Sequence, residues 1–178
     1  MNDITSRLWL YHKPTGLTAT GREGDDLEKF LSQLPDDLPH VVAIGILDHD
    51  AQGLLLLTND EALGERLYAP EFGLTGSYRV QVRGTPDAGR LTKLADGVSV
   101  ASVNYGPVQA AVDPEGAETW IILSLQEAKG RDIRRLMLHT GLRALRMIRT
   151  RIGPFELGDL QPGEVREVTV ADVAHFLG

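Results

Sequence analysis

The stretch Ala43–Asp60, AIGILDHDAQGLLLLTND, limits what this chain can fold into more than any other. An apolar run from Val41 to Ile44 leads to a carboxylate, Asp48, and then to a short polar segment. A second apolar run, Gly53 to Leu57, follows and stops at Thr58-Asn59-Asp60. Each run has strand length and turn-forming residues lie between them, so the pattern predicts strand, charged turn, strand. A carboxylate held between two buried runs is positioned by the scaffold, which is how catalytic groups are commonly presented. Asp is equally an ordinary turn residue that bonds its own backbone, so from this stretch alone both roles of Asp48 stand.

The rest of the chain alternates short strands with isolated helices. Residues 7–13 read as a strand that Pro14-Thr15-Gly16 ends with a turn. Gly21 to Asp26 reads as a polar loop, and Leu27 to Leu34 as a short helix stopped by Pro35. Thr58 or Asn59 can cap a helix whose Leu63 and Leu67 share a face and whose end Pro70 marks. Ser77 to Arg83 alternates strictly, with Tyr78, Val80 and Val82 on one side. Thr85-Pro86 opens a helix to about Ala95. Strands are expected at Val98–Val103 and Val108–Val112, on either side of a turn at 104–107. Trp120–Leu125 reads as a strand buried on both faces. Asp132–His139 is amphipathic, with Ile133, Leu136 and Met137 inward and Arg131, Arg134 and Arg135 outward, and Gly141 stops it. Met147–Ile152 alternates again, with Arg149 and Arg151 on one side, and Val170–Leu177 is expected to close the chain as a helix. This succession implies an α+β fold with a largely antiparallel sheet.

At 178 residues the chain can bury one good core, as a single domain of two lobes. Its 42% hydrophobic and 24% charged residues are those of a soluble globular protein. The amino terminus has no apolar segment of the secretory kind, and there is no Cys to form a disulfide, a thiol nucleophile or a zinc–thiolate site. A cytoplasmic location is expected.

The net charge of −7 speaks against a nucleic-acid partner, but its distribution does not. Between Lys129 and Arg151 eight Lys or Arg stand against one acid, Asp132. That segment therefore carries +7 and leaves −14 for the remainder. A concentrated basic patch on an acidic body suits a polyanion, and it equally suits a solvated helix face.

Four features could carry chemistry: Asp48, Tyr78, the basic helix with Arg131, and Lys13-Pro14. They suit a site where arginines hold phosphates, an aromatic ring stacks on an extruded base, and a carboxylate does the covalent work. A buried Asp needs a cation to stay ionised, and Arg131 is the natural candidate. In register with Val80 and Val82, Tyr78 could also be plain core. The His, Asp and Glu residues show no metal-ligand spacing, so a metal centre of that kind is not expected.

Several stretches together resemble one family. GILDHDAQGLLLLTND is similar to GRLDxxTxGLLLLTND, a signature of the RsuA/RluB/RluE-type pseudouridine synthases that modify ribosomal RNA. YHKPTGL resembles the family's KPxG opening, GSYRVQVRG its KTYRVRVEG strand, and LQEAKGRDIRRLMLHTG its LxEGxxRQVRRMLxxxG motif. RIGPFELGDLQPGEVREVT resembles its closing RIGPFxLGDLxPGEWRELT. The resemblance covers essentially the whole chain, in the family's order.

It implies the pseudouridine synthase fold, a mixed, largely antiparallel sheet flanked by helices around a central active-site cleft. Residues 1–178 would be one catalytic domain without the family's small amino-terminal RNA-binding domain. Asp48 would be the catalytic aspartate that initiates breakage of the uracil–ribose bond. Tyr78 would stack on the flipped base and assist proton removal, and Arg131 would pair with the aspartate. Ile133 would line the pocket, and Lys13, Lys129, Arg134 and Arg135 would join it in binding substrate. Uracil rotates and rejoins through carbon, so no cofactor or metal is implied. The partner would be ribosomal RNA, with the large-subunit molecule favoured, and the enzyme a monomer.

The chain departs from the family at particular positions. Ile46 stands for an Arg, Ala51 for a Thr, Gly76 and Ser77 for Lys-Thr, and Ala128 and Asp132 for Gly and Gln. Losing a charged hydrogen bond of the kind an Arg would make costs about 1.5–3 kcal/mol. If that falls on the transition state, it is about one to two decades in rate. A relative that binds RNA with weakened catalysis is therefore one alternative. Another, suggested by Asp48-His49-Asp50 after an apolar strand, is a Mg²⁺-dependent phosphohydrolase with an aspartate nucleophile.

Overall fold

The computed structural model describes residues 5–17, 25–116, 119–126, 130–169, 171 and 174. In chain order the elements are β1 (Leu8–Lys13), α1 (Asp25–Leu31), β2 (Val42–Ile44), β3 (Ala51–Thr58), α2 (Glu61–Tyr68) and β4 (Thr75–Arg83). Then come α3 (Ala88–Lys93), β5 (Val98–Val100), β6 (Val103–Tyr105), β7 (Gln109–Val112) and β8 (Trp120–Gln126). The last are α4 (Gly130–His139), β9 (Arg143–Ile152), β10 (Phe155–Glu156) and β11 (Val165–Val168). Two compact units result, one of residues 1–72 with 157–178, the other of residues 73–156. No helix among the described residues is long and apolar enough to cross a membrane.

In the first unit β1 lies between β11 and β3, antiparallel to both, and β2 pairs with β3 through Ile44↔Leu56. Strand, charged turn, strand is thus the observed arrangement of the stretch around Asp48. All six residues of β1 and all eight of β3 are buried. A strand covered on both faces reads as a continuous apolar run, which is what LLLL in β3 supplies. Strand β11 was not expected. It pairs residue by residue with β1 from Leu8↔Val168 to Tyr11↔Val165, and the His12 ring donates through Nδ1 to the Leu160 carbonyl.

The cap of α2 is Asp60, not Thr58 or Asn59. Its carboxylate accepts from the Leu63 amide, while Thr58 Oγ1 accepts from the Asp60 amide and Asn59 Oδ1 accepts from the Arg7 amide. All three side chains are used, each for a different backbone group. Helix α1 begins at Asp25, inside the expected loop, and stops at Leu31, three residues early. Gly21 to Gly24 of that loop and most of the expected closing helix, Val170–Leu177, lie outside the described residues.

In the second unit β9, β4, β8 and β7 pair antiparallel in that order, with β10 on β9. Tyr78, Val80 and Val82 are buried, as their alternation predicts. They share the core with Ile121, Leu123, Met147 and the inward residues of α4, Ile133, Leu136 and Met137. Helix α4 ends as expected at Gly141, whose φ of +85° no side chain would favour. The Leu142 amide donates to Met137 and the Gly141 amide to Leu138, the paired bonds of a Schellman motif.

Three expectations change here. Helix α3 starts at Ala88 under an Asp87 cap rather than at Thr85-Pro86. The run Val98–Val103 is interrupted by Ala101 and Ser102, both at positive φ, so it folds into the β5–β6 hairpin. Strand β8 buries only one face: Ile121, Leu123 and Leu125 point in, while Ile122 is exposed. Trp120 is instead covered by the Arg79 guanidinium, 5.0 Å from its ring.

Candidate active site

In the first unit the loop 45–50 presents Asp48. It leaves β2 through Gly45, at φ +81°, where a Cβ would meet the Tyr68 ring at 3.1 Å. Leu47 and Ala51 on either side of Asp48 are buried, whereas Asp48 is half-buried and His49 and Asp50 are exposed. The Ala51 amide donates to the Asp48 carbonyl, and the Gly16 amide to the His49 carbonyl at 2.7 Å. The backbone around Asp48 is therefore held by its own turn and by the segment Pro14–Leu17. Ile46 is half-buried and Ala51 opens a wholly buried strand.

Lys13, expected to bind substrate, is fully buried. Its ammonium donates to the Leu17 carbonyl and, at 2.8 Å, to the Pro14 carbonyl. A buried ammonium needs such acceptors to stay charged. Lys13 thus ties down the turn whose Gly16 holds His49.

In the second unit Tyr78 sits on the buried face of β4, opposite Leu123 on β8 and Arg149 on β9. Gly76 gives its ring room, since a Cβ there would stand 3.0 Å from Cε2 and 3.3 Å from the hydroxyl. Arg149 is itself 7% exposed, a rare condition for a guanidinium. The expectation that Arg149 and Arg151 share a side fails, because a β-bulge at Thr150 rephases β9 and leaves Arg151 exposed. The burial of Arg149 opposite Tyr78 was not legible, because sequence alternation cannot show a bulge.

Helix α4 carries the remaining expected residues. Arg131 is exposed, Ile133 is buried, and Arg134 and Arg135 are half-buried. Lys129 and Ala128 lie outside the described residues. Asp132, the one acid of the basic segment, has a specific partner: the Tyr105 hydroxyl donates to its Oδ1 at 2.9 Å. Burial lifts the Tyr105 hydroxyl above the ordinary tyrosine range; Asp132 reinforces the shift and Arg135, bonded to the same oxygen, opposes it. The expected site residues thus divide between the units: Lys13 and Asp48 belong to the first, and Tyr78, Arg131, Ile133, Arg134 and Arg135 to the second.

The comparisons with known proteins agree with one another. The family model of RNA pseudouridylate synthases matches residues 7–139. An RNA pseudouridine synthase of Rickettsia bellii is 37% identical over 165 residues, 92% of this chain and 71% of the relative. The ribosomal large subunit pseudouridine synthase E of Xanthomonas campestris pv. campestris is 37% identical over 147 residues, 72% of this chain and 77% of the relative. The fold resembles that in a crystal structure of pseudouridylate synthase, with a TM-score of 0.82 at 20% identity over 96% of this chain and 74% of the other.

Proposed function

Because the chain belongs to the RNA pseudouridylate synthase family, we propose that it converts one uridine of ribosomal RNA, in the large subunit, into pseudouridine. The α+β fold and the isomerase class come with the family. The choice of large-subunit RNA is supported by the relatives of that name in Xanthomonas campestris and Vibrio vulnificus. Family membership displaces the phosphohydrolase alternative.

Asp48 is the catalytic carboxylate in this proposal, and the observation that carries it is its mounting. Asp48 is half-buried, with Leu47 and Ala51 buried at either end of its turn, on a loop whose backbone is pinned through Gly16 and His49. Asp48 initiates cleavage of the bond between uracil and ribose, and the freed uracil turns and rejoins through carbon. No atom or electron is lost from the uridine, so the reaction calls for no cofactor. The target nucleotide leaves its stack to react. In this proposal Tyr78 stacks on the flipped base and assists proton removal, Arg131 is the cation for the aspartate, Ile133 lines the base pocket, and Lys129, Arg134 and Arg135 bind the substrate. Lys13 acts by holding the loop. The enzyme works as a monomer in the cytoplasm.

The test is carbodiimide primer-extension mapping on unmodified ribosomal RNA, with native protein and Asp48→Asn side by side. A stop produced by the native protein alone is expected. No stop anywhere, with RNA still retained on a filter, would turn the proposal into that of an RNA-binding relative with lost catalysis.

A further inference from the structure

Five arginines share one face of the second unit's sheet, and their placement depends on irregularities in β9. Alternation along β4 sets Ser77, Arg79, Gln81 and Arg83 on the side away from Tyr78, Val80 and Val82. In register, Ser77 faces Arg151, Gln81 faces Arg146 and Arg83 faces Arg143, and directly opposed residues project to the same side. A regular strand could not do this, because Arg143 and Arg146 are an odd number of residues apart, as are Arg146 and Arg151. Two bulges, at Leu145 and Thr150, bring all three to the outer face while Arg149 stays buried.

Arg83, Arg143, Arg146 and Arg151 are exposed. The fifth, Arg79, lies over Trp120 and pairs with Asp113 at 2.6 Å. Among the described residues of these strands and their ends, the acids on this side are Asp113 and Glu156, the latter 3.7 Å from Arg151. Among the described residues this side thus holds five guanidinium groups and these two carboxylates, on a chain whose net charge is −7. Arg83 and Arg143 stand directly opposite each other, and like charges so placed destabilise an antiparallel pair. A polyanion lying across the strands removes that repulsion.

We propose that this face binds the phosphate backbone of RNA flanking the modified uridine, as a track separate from the catalytic residues. The inference rests on the RNA-modifying function proposed above. Arginine suits phosphate through its planar, bidentate fork, and the half-buried Trp120 with its stacked Arg79 suits a ribose or base edge. The apolar residues of the paired strands on this face, Trp120, Ile122, Ile148 and Ala111, are interleaved with the arginines rather than gathered into the apolar centre of a protein interface.

The experiment is filter binding of a labelled, unmodified ribosomal RNA transcript over a salt series, with thermal unfolding of each protein. The proteins are native, Arg83→Ser with Arg143→Ser, Arg143→Glu, and a control with Arg90→Ser and Lys93→Ser on α3. The Arg83/Arg143 double variant should lower the slope of log affinity against log salt by about 1.4–1.8, the contribution of two phosphate contacts. Arg143→Glu should weaken RNA binding while holding or raising the melting temperature, because it faces Arg83. A native slope in the folded double variant would overturn the track, as would an equal loss in the α3 control. Native protein that makes pseudouridine while the double variant keeps its slope refutes the track alone. Native protein that makes none, with the slope lowered in the double variant, refutes the catalytic proposal and upholds the track.

Discussion

Gly76 lies against Tyr78 so closely that a single added carbon would touch the ring, at 3.0 Å from Cε2. The ring is buried, so it can yield only by disturbing its neighbours. This is where the family resemblance leads one to expect a lysine, and here the missing side chain is the space that the tyrosine occupies.

Gly76→Ala should therefore cost about 1–3 kcal/mol, as overpacking of a core does. The entropy that Ala takes from the unfolded chain returns about 0.4–1 kcal/mol of it. Thermal unfolding and single-turnover pseudouridine formation should both show a loss. A variant as stable and active as the native protein would mean that the ring has room to move.

Lys13→Met should destabilise the first unit by about 1–3 kcal/mol. It leaves the carbonyls of Pro14 and Leu17 without their buried donor. For a chain of this size that is a fall of about 2–4 °C in melting temperature per kcal/mol. Pseudouridine formation should fall further than RNA retention, because the turn that pins His49 loosens while the basic residues stay in place. Equal losses in both would assign Lys13 to RNA contact instead.

Asp60 gives a pH dependence with a definite sign. The Ser6 hydroxyl and then the Leu63 amide hold its carboxyl below the ordinary 3.8. A depressed carboxyl contributes stability above its unfolded value and loses it as the pH falls through the folded value. Asp60→Ala should cost about 1 kcal/mol at neutral pH, as loss of a helix cap does. The gap between variant and native protein should narrow below about pH 4. A gap constant from pH 7 to pH 2 would show that the carboxylate charge contributes nothing.

Tyr105→Phe removes the donor to Asp132 and the oxygen that Arg135 shares. The cost in stability should be about 0.5–1.5 kcal/mol. If this contact sets the first turn of α4, where Arg131 lies, the RNA-modifying rate should fall as well. Asp132→Asn, which keeps an acceptor for the hydroxyl, should fall less. The reverse order would assign the effect to the charge of Asp132 rather than to its bond with Tyr105.

The sheet-forming stretches were legible because burial leaves a period in the chain. Val80 and Val82 alternate with polar residues on β4, and Ile133, Leu136 and Met137 recur at helical spacing on α4. The runs around Asp48 needed no period, since strands covered on both faces are apolar throughout. Elements built mainly from long-range pairing were not legible. Strand β11 is polar at two of its four positions and exists through its register with β1. The Ala101-Ser102 turn contains neither Gly nor Asn to announce its positive φ.

By itself the sequence determined the strand–turn–strand around Asp48, the amphipathic α4 with its Gly141 stop, and the order of motifs that marks the family. Each of these depends on residues near one another in the chain, so the chain records them. The tertiary structure alone decided which way each charge faces. Lys13 turned inward onto two carbonyls, Asp132 was taken up by Tyr105, and the bulges of β9 separated Arg149 from Arg143, Arg146 and Arg151. The reason is that a side chain's direction depends on the phase of its strand and on partners supplied by distant segments, and neither is written in local composition.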